Sequence, residues 1–196
     1  MPRLGVDGCA QEVMMRRRTL DVILSSFGAL LTVVLLVAGG LLWWGYHFAN
    51  SNVHEQLAAQ QIYFPAAGSD ALAPATIGPY LDQYAGQQLV SGAQAEAYAD
   101  HFISVHLDEV AGGKTYAQVS SEAQANPSDT TLQQQADTLF KGETLRGLLL
   151  NAYAFWKLGQ IARYAAVASF VAAAVMFALT ALGFWHLRRS AISAEA

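Results

Sequence analysis

Hydrophobic positions follow two regimes along this chain. Two stretches are apolar without interruption, Val22 to Trp44 and Ala165 to Trp185, and neither holds a charged residue. Between them, apolar residues recur every three or four positions among polar ones. At about 1.5 Å of rise per residue, some 20 helical residues cross a hydrocarbon layer of roughly 30 Å. Both runs are long enough. Trp43, Trp44 and Tyr46 close the first, and Tyr164 and Trp185 flank the second. Such amphipathic rings settle at the headgroup level of a bilayer. A buried helix of a soluble protein is the alternative for one such run, but two with aromatic ends are hard to bury in 196 residues. A cleaved signal peptide is the alternative for the first run. Its apolar core exceeds the roughly 7–15 residues of a signal core, and no small-x-small site follows Trp44, so an uncleaved anchor is expected.

The expected organisation is a cytoplasmic tail over 1–19, a transmembrane helix over 20–46, a helical extracytoplasmic domain over 47–163, a second transmembrane helix over 164–186, and a cytoplasmic tail over 187–196. Orientation follows from the basic residues. Arg16, Arg17 and Arg18 precede the first span, and Arg188 and Arg189 follow the second. Both termini are therefore expected in the cytoplasm, as in a multi-pass protein of the plasma membrane. Lys157 and Arg163 give a weaker, opposing signal. The first dozen residues show no pattern, and a disordered tail or a start at Met14 or Met15 is expected there. Small residues recur at four-residue spacing in the second span (Ala165, Ser169, Ala173; Ala174, Ala178). Ser25 and Ala29 stand in the first. Such residues let helix backbones approach in lipid.

The intervening region reads as helices. Val53, Leu57, Gln61 and Phe64 continue the first helix outward until Pro65. Pro79 opens PYLDQYAGQQLV, with Tyr80, Leu81 and Tyr84 on one side. Ser91 followed by Gln94 is a capping box for the next helix, which carries Tyr98, Phe102 and Val105. Gly112 and Gly113 stop it, because glycine adopts the left-handed cap cheaply. Thr115 with Gln118 is a second capping box, opening a short helix that ends at Asn126 and Pro127. Ser128 or Asp129 caps the last helix, through Leu132, Ala136, Leu139 and Phe140 to Phe155. No strand alternation is present. The fold class is therefore all-α: two antiparallel transmembrane helices with a small helical extracytoplasmic domain between them.

Charge narrows the partners. Charged residues make up 13% of the chain and hydrophobic ones 54%, a balance set by the two spans. The intervening region is acidic. Glu55, Asp70, Asp82, Glu96, Asp100, Asp108, Glu109, Glu122, Asp129, Asp137 and Glu143 outnumber Lys114, Lys141, Arg146, Lys157 and Arg163. That argues against nucleic acid as a partner. The lone cysteine, Cys9, rules out an internal disulfide.

Gly113-Lys114-Thr115 reads like the tail of a phosphate-binding loop. That loop needs G-x-x-x-x-G-K-[ST] between a strand and a helix. The first glycine would fall on Asp108, whose charge repels phosphate, and a helix precedes the segment. No nucleotide partner is expected.

Three segments together, PYLDQYAGQQL, QAEAYADHFISVHLDEVAGGKTYAQVSSEA and LRGLLLNAYAFWKLGQIA, resemble a family of actinobacterial two-span membrane proteins. The resemblance covers about Arg16 to Arg189, and the GGKTYA segment is its most specific part. It implies an N-terminal anchor, a helical extracytoplasmic loop and a C-terminal span. Members often carry the name of an aromatic ring-opening dioxygenase of the LigA type. Such ring cleavage uses an iron held by two histidines and a carboxylate, and no matching motif stands in this chain. No functional residue carries over.

The candidate metal ligands read from the residues are His101, His106, Asp108 and Glu109. His101 and His106 lie five apart, about 140° round a helix, so they do not naturally share an ion. Solvated or interfacial histidines are the plainer reading. His47 and His54 share a helix face near the membrane. No nucleophile stands beside a histidine, and no cofactor is implied. The uncharged spans offer no ion path. The expected function is non-enzymatic: an integral membrane protein whose outer domain contacts the lipid bilayer and another membrane or envelope protein. Homo-oligomerisation stays open. The alternative is a metal- or small-ligand-binding outer domain, acting as an enzyme or a sensor.

Overall fold

A computed structural model describes residues 6–192. Helices and short turns build the chain, and among the described residues no strand forms. The order is α1 (Val6–Ala59), a 3-10 turn (Asp70–Leu72), α2 (Gly78–Leu81), a second 3-10 turn (Asp82–Tyr84), α3 (Gly92–Tyr98), a π-helical turn (Ala99–Ile103), α4 (Ser104–Ala111), α5 (Tyr116–Ala125) and α6 (Thr130–Ile192). The fold is all-α, as expected. The unordered tail expected at the start differs: the backbone is helical from Val6, while residues 1–5 lie outside the described residues. Arg16 to Arg18 are good helix formers and let the helix propagate outward from the apolar run.

The chain divides into two compact units, one of the chain up to Trp44 together with that from Ala162, the other Gly45–Ile161. α1 and α6 contribute to both, and each is long and apolar enough to cross a membrane. Only 22% and 17% of their most apolar stretches are buried within the protein. A soluble core helix would be mostly buried. Exposed Leu24, Phe27, Leu36, Val171 and Phe177 are what lipid-facing surfaces require.

In the first unit, α1 and α6 run antiparallel and meet along small side chains. A Cβ built at Gly28 would lie 2.5 Å from the Thr180 hydroxyl, one at Gly39 2.8 Å from the Phe170 ring, and one at Gly183 2.6 Å from the Ser25 hydroxyl. Ser25, Thr32, Ala166, Ala173 and Thr180 are buried there. Ser25, Thr32 and Gly39 are seven apart, as are Ala166, Ala173 and Thr180. That repeat keeps one seam facing the partner helix as the two wind about each other. Ala173 and Ser25 lie on the seam as expected, whereas Ala174 and Ala178 are exposed. The Thr32 hydroxyl donates to Gly28 O at 2.8 Å, which satisfies it without water.

The second unit has a conventional core. Leu81, Leu89, Ala95 and Ala99 are fully buried, with Ile77, Val119, Leu139, Val53 and Leu57 packed around them. α1 ends earlier than the spacing predicts. Gln61 has a left-handed φ of 52°, a conformation that costs an L-residue about 1–2 kcal/mol. The Gln88 amide donates to Ala58 O at 2.9 Å, a carbonyl at the helix end that also accepts from Gln61 N at 3.1 Å. Ile62 to Phe64 then pair with Gln87 to Leu89 through Phe64 N to Gln87 O and Leu89 N to Ile62 O, both 2.9 Å. The expected helix over PYLDQYAGQQLV is therefore cut to α2 and one 3-10 turn, because its second half serves this pairing. The rest follows the expected punctuation. Both capping boxes form, at Ser91–Gln94 and Thr115–Gln118. Gly112 closes α4 with φ 59°, and Asp129 caps α6 by accepting from Thr131 N and Leu132 N at 3.0 Å.

Candidate functional site

The side chains singled out from sequence lie around the π-helical turn. α3, the π turn and α4 follow one another without a break, and their buried hydrophobic residues are Ala95, Ala99, Ile103, Leu107 and Ala111, each four apart. In a regular helix a four-residue repeat drifts about 40° per step. A wider turn takes up part of that drift, which keeps all five on the core. Such turns often mark functional sites. This one displays Asp100 and His101.

Each candidate already has a neighbour. The His101 ring stacks on Tyr80 with centroids 3.6 Å apart and planes 1° from parallel. His106 Nδ1 donates to Phe102 O at 2.8 Å. A carbonyl can only accept, so Nδ1 carries a proton. Asp108 and Glu109 are exposed, and their backbone carbonyls accept from the Gly113 and Gly112 amides that end α4. Among the described residues no three His, Cys, Asp or Glu side chains gather as metal ligands. His101, His106, Asp108 and Glu109 are thus not brought together as one set. Asp100, which the spacing did not single out, takes an ion pair from Arg146 at 3.0 Å, and Glu143 lies 3.6 Å from the same guanidinium. The pair is about one-third exposed, so it is worth about 1 kcal/mol or less.

Aromatic rings fill the side of the turn facing Phe64. Tyr98 meets Phe64 edge-on at 5.3 Å, and Tyr98, Phe102 and His106 follow at 4.8 and 4.4 Å between centroids. Burial raises the Tyr98 hydroxyl above its ordinary pKa, because the phenolate is costly to desolvate. Tyr98 and Phe102 pack against the core, as their helical stripe predicts, while His106 is exposed. The GKT segment is occupied too. Lys114 Nζ donates to both Glu122 carboxylate oxygens at 2.8 and 2.7 Å, and the Thr115 hydroxyl accepts from Gln118 N.

A further concavity of the second unit lies elsewhere. A groove of about 440 Å³ opens between the last turns of α1 and the middle of α6. Asn52, Gln56 and Gln60 form one wall, at four-residue spacing. Leu145, Leu148, Asn151 and Phe155 form the other, and Val53, Leu57 and Leu149 the floor. None of these residues is charged. Leu148 is 63% exposed at the rim. Sequence reasoning missed the groove because its walls are 85 or more residues apart; the signal present was Leu145, Leu148, Ala152 and Phe155, an apolar stripe at helical spacing. No family model, curated protein or solved structure matches the chain.

Proposed function

We propose that this is a two-pass protein of the plasma membrane with both termini cytoplasmic, acting as a non-enzymatic accessory. Its second unit, outside the cytoplasm, binds a helix of another membrane or envelope protein. The groove between α1 and α6 carries this reading. Two adjacent helices with an apolar floor offer the ridges and grooves that a third helix packs into. The amides of Asn52, Gln56, Gln60 and Asn151 each donate and accept, so they hold such a helix in register without requiring charge. Exposed Leu148 and Phe155 supply apolar area at the rim. The arginines at the inner ends of both spans support the orientation. The resemblance to actinobacterial two-span proteins agrees with this reading and adds no activity.

A photo-crosslinking residue at Leu148, with a second at exposed Gln124 as the control, tests the proposal in intact cells. One abundant membrane protein is expected attached at Leu148 and not at Gln124. Crosslinks only to another copy would replace the accessory role by self-association. The same background at both positions would sink the groove as a docking site.

A further inference from the structure

The antiparallel pairing in the first unit assembles a charge cluster that the sequence keeps 170 residues apart. Ser25 meets Gly183 and Gly28 meets Thr180, which sets the register of α1 against α6. From the Ser25 contact, Arg18 to Arg16 lie about 10 to 14 Å further along α1, at 1.5 Å per residue. From Gly183, Arg188 and Arg189 lie about 7 to 9 Å further along α6 in the same direction. Five arginines therefore lie at one end of the helix pair within about one helical turn of depth. All five are exposed. Asp21 is the one carboxylate in 16–30 and 180–189. The Arg189 guanidinium lies over the Trp185 ring, 4.6 Å from its centroid, and Trp185 is itself exposed. An indole at headgroup depth under a guanidinium places the charge where lipid phosphates sit.

We propose that this arginine cluster, Arg16, Arg17 and Arg18 with Arg188 and Arg189, is a binding site for the headgroups of anionic phospholipids. The guanidinium fork matches phosphate oxygens in two parallel hydrogen bonds. Arginines on both sides of one helix pair can hold a single headgroup from two directions. A basic segment on one helix would attract anionic lipid only diffusely. The site rests on the membrane reading above and deepens it by naming the lipid class.

The test uses the full chain reconstituted in nanodiscs of nine parts phosphatidylcholine to one part phosphatidylglycerol. Lipid that stays with the protein through gentle detergent extraction is quantified by mass spectrometry. Phosphatidylglycerol is expected at about threefold or more over its bulk share, falling toward the bulk ratio at 1 M salt, where screening is nearly complete. Replacing either set alone, Arg16, Arg17 and Arg18→Gln or Arg188 and Arg189→Gln, is expected to remove most of the enrichment, with helical content unchanged by circular dichroism. Bulk-ratio lipid on the wild type overturns the site. Enrichment untouched by either substitution set overturns the assembly of the site from two helices. Alkaline carbonate separates the two readings. A chain it releases from membranes overturns both, whereas a retained chain with bulk-ratio lipid overturns this proposal alone.

Discussion

The same two helices pack by different rules in the two units. In the first, α1 and α6 meet through Ser25, Gly28, Thr32 and Gly39 against Ala166, Ala173, Thr180 and Gly183, with Phe170 lying over Gly39 and most other large side chains turned outward. In the second, Val53, Leu57, Leu139 and Leu149 turn inward onto Leu81 and Leu89. The difference is one of solvent. Lipid tails are as apolar as leucine, so burying leucine between helices in a bilayer gains little, and close backbone approach through small residues gives the contact. Water rewards burial of large apolar side chains at about 25 cal/mol per Å². Where small residues give way to large ones along a helix marks where its surroundings change.

Leucine truncation breaks this comparison most sharply. Leu81→Ala, at a fully buried position, should destabilise the second unit by about 2–5 kcal/mol, measured by urea titration of the full chain in micelles. Leu24→Ala, at a position 71% exposed, should leave the midpoint in place. Equal effects would mean that the first unit also packs by leucine burial.

Enlarging a glycine inverts the test. A Cβ at Gly39 meets the Phe170 ring, whereas one at Gly40 meets nothing within 4 Å. Gly39→Val should weaken the helix pair by about 1–3 kcal/mol, and Gly40→Val should not. Disulfide trapping between cysteines placed at Ser25 and Gly183, whose Cβ atoms would lie 3.6 Å apart, reads the pairing; similar trapping yields for the two variants would refute the seam.

The two capping boxes sharpen the comparison within the second unit. Gln94 is buried and accepts from Val90 N and Ser91 N at 2.9 and 3.0 Å. Gln118 is exposed and accepts from Thr115 N at 2.9 Å. Gln94→Ala leaves two part-buried donors unpaired and should cost about 1–3 kcal/mol. Gln118→Ala lets water replace the bond and should cost about 1 kcal/mol or less. Thermal melts of both variants decide whether burial, rather than the motif, sets the cost.

Tyr98 gives the smallest effect. Its pKa is raised on folding, so the folded state binds the proton more tightly than the unfolded one. Its contribution is fully present below the unfolded pKa of about 10 and is lost as pH rises beyond it. Tyr98→Phe should flatten the fall in stability between pH 9 and 11. An unchanged slope would place that fall on other tyrosines.

The helix punctuation was legible in the residues because capping is local. Ser91, Thr115, Asp129 and Gly112 act on backbone groups within a few positions of themselves, whatever the rest of the chain does. The candidate ligands were legible only as residue types. His101 and His106 lie on the helical segment that the spacing predicts, but the π-helical turn at Ala99–Ile103 and the Tyr80 ring and Phe102 carbonyl that engage their rings are a matter of packing. Asp100 gained its partner from Arg146, 46 positions away.

By itself, the sequence determined the two apolar spans, the all-α class and the helix boundaries at the capping boxes, since hydrophobic length, periodicity and capping are short-range properties. Only the tertiary structure decided that α1 stops at Ala59, that Gly39 rather than Gly40 faces Phe170, and that a groove opens between Gln56 and Leu148. Each of these depends on which distant segment arrives alongside. A backbone turn, a helix seam and a concave surface exist only once two parts of the chain compete for the same space.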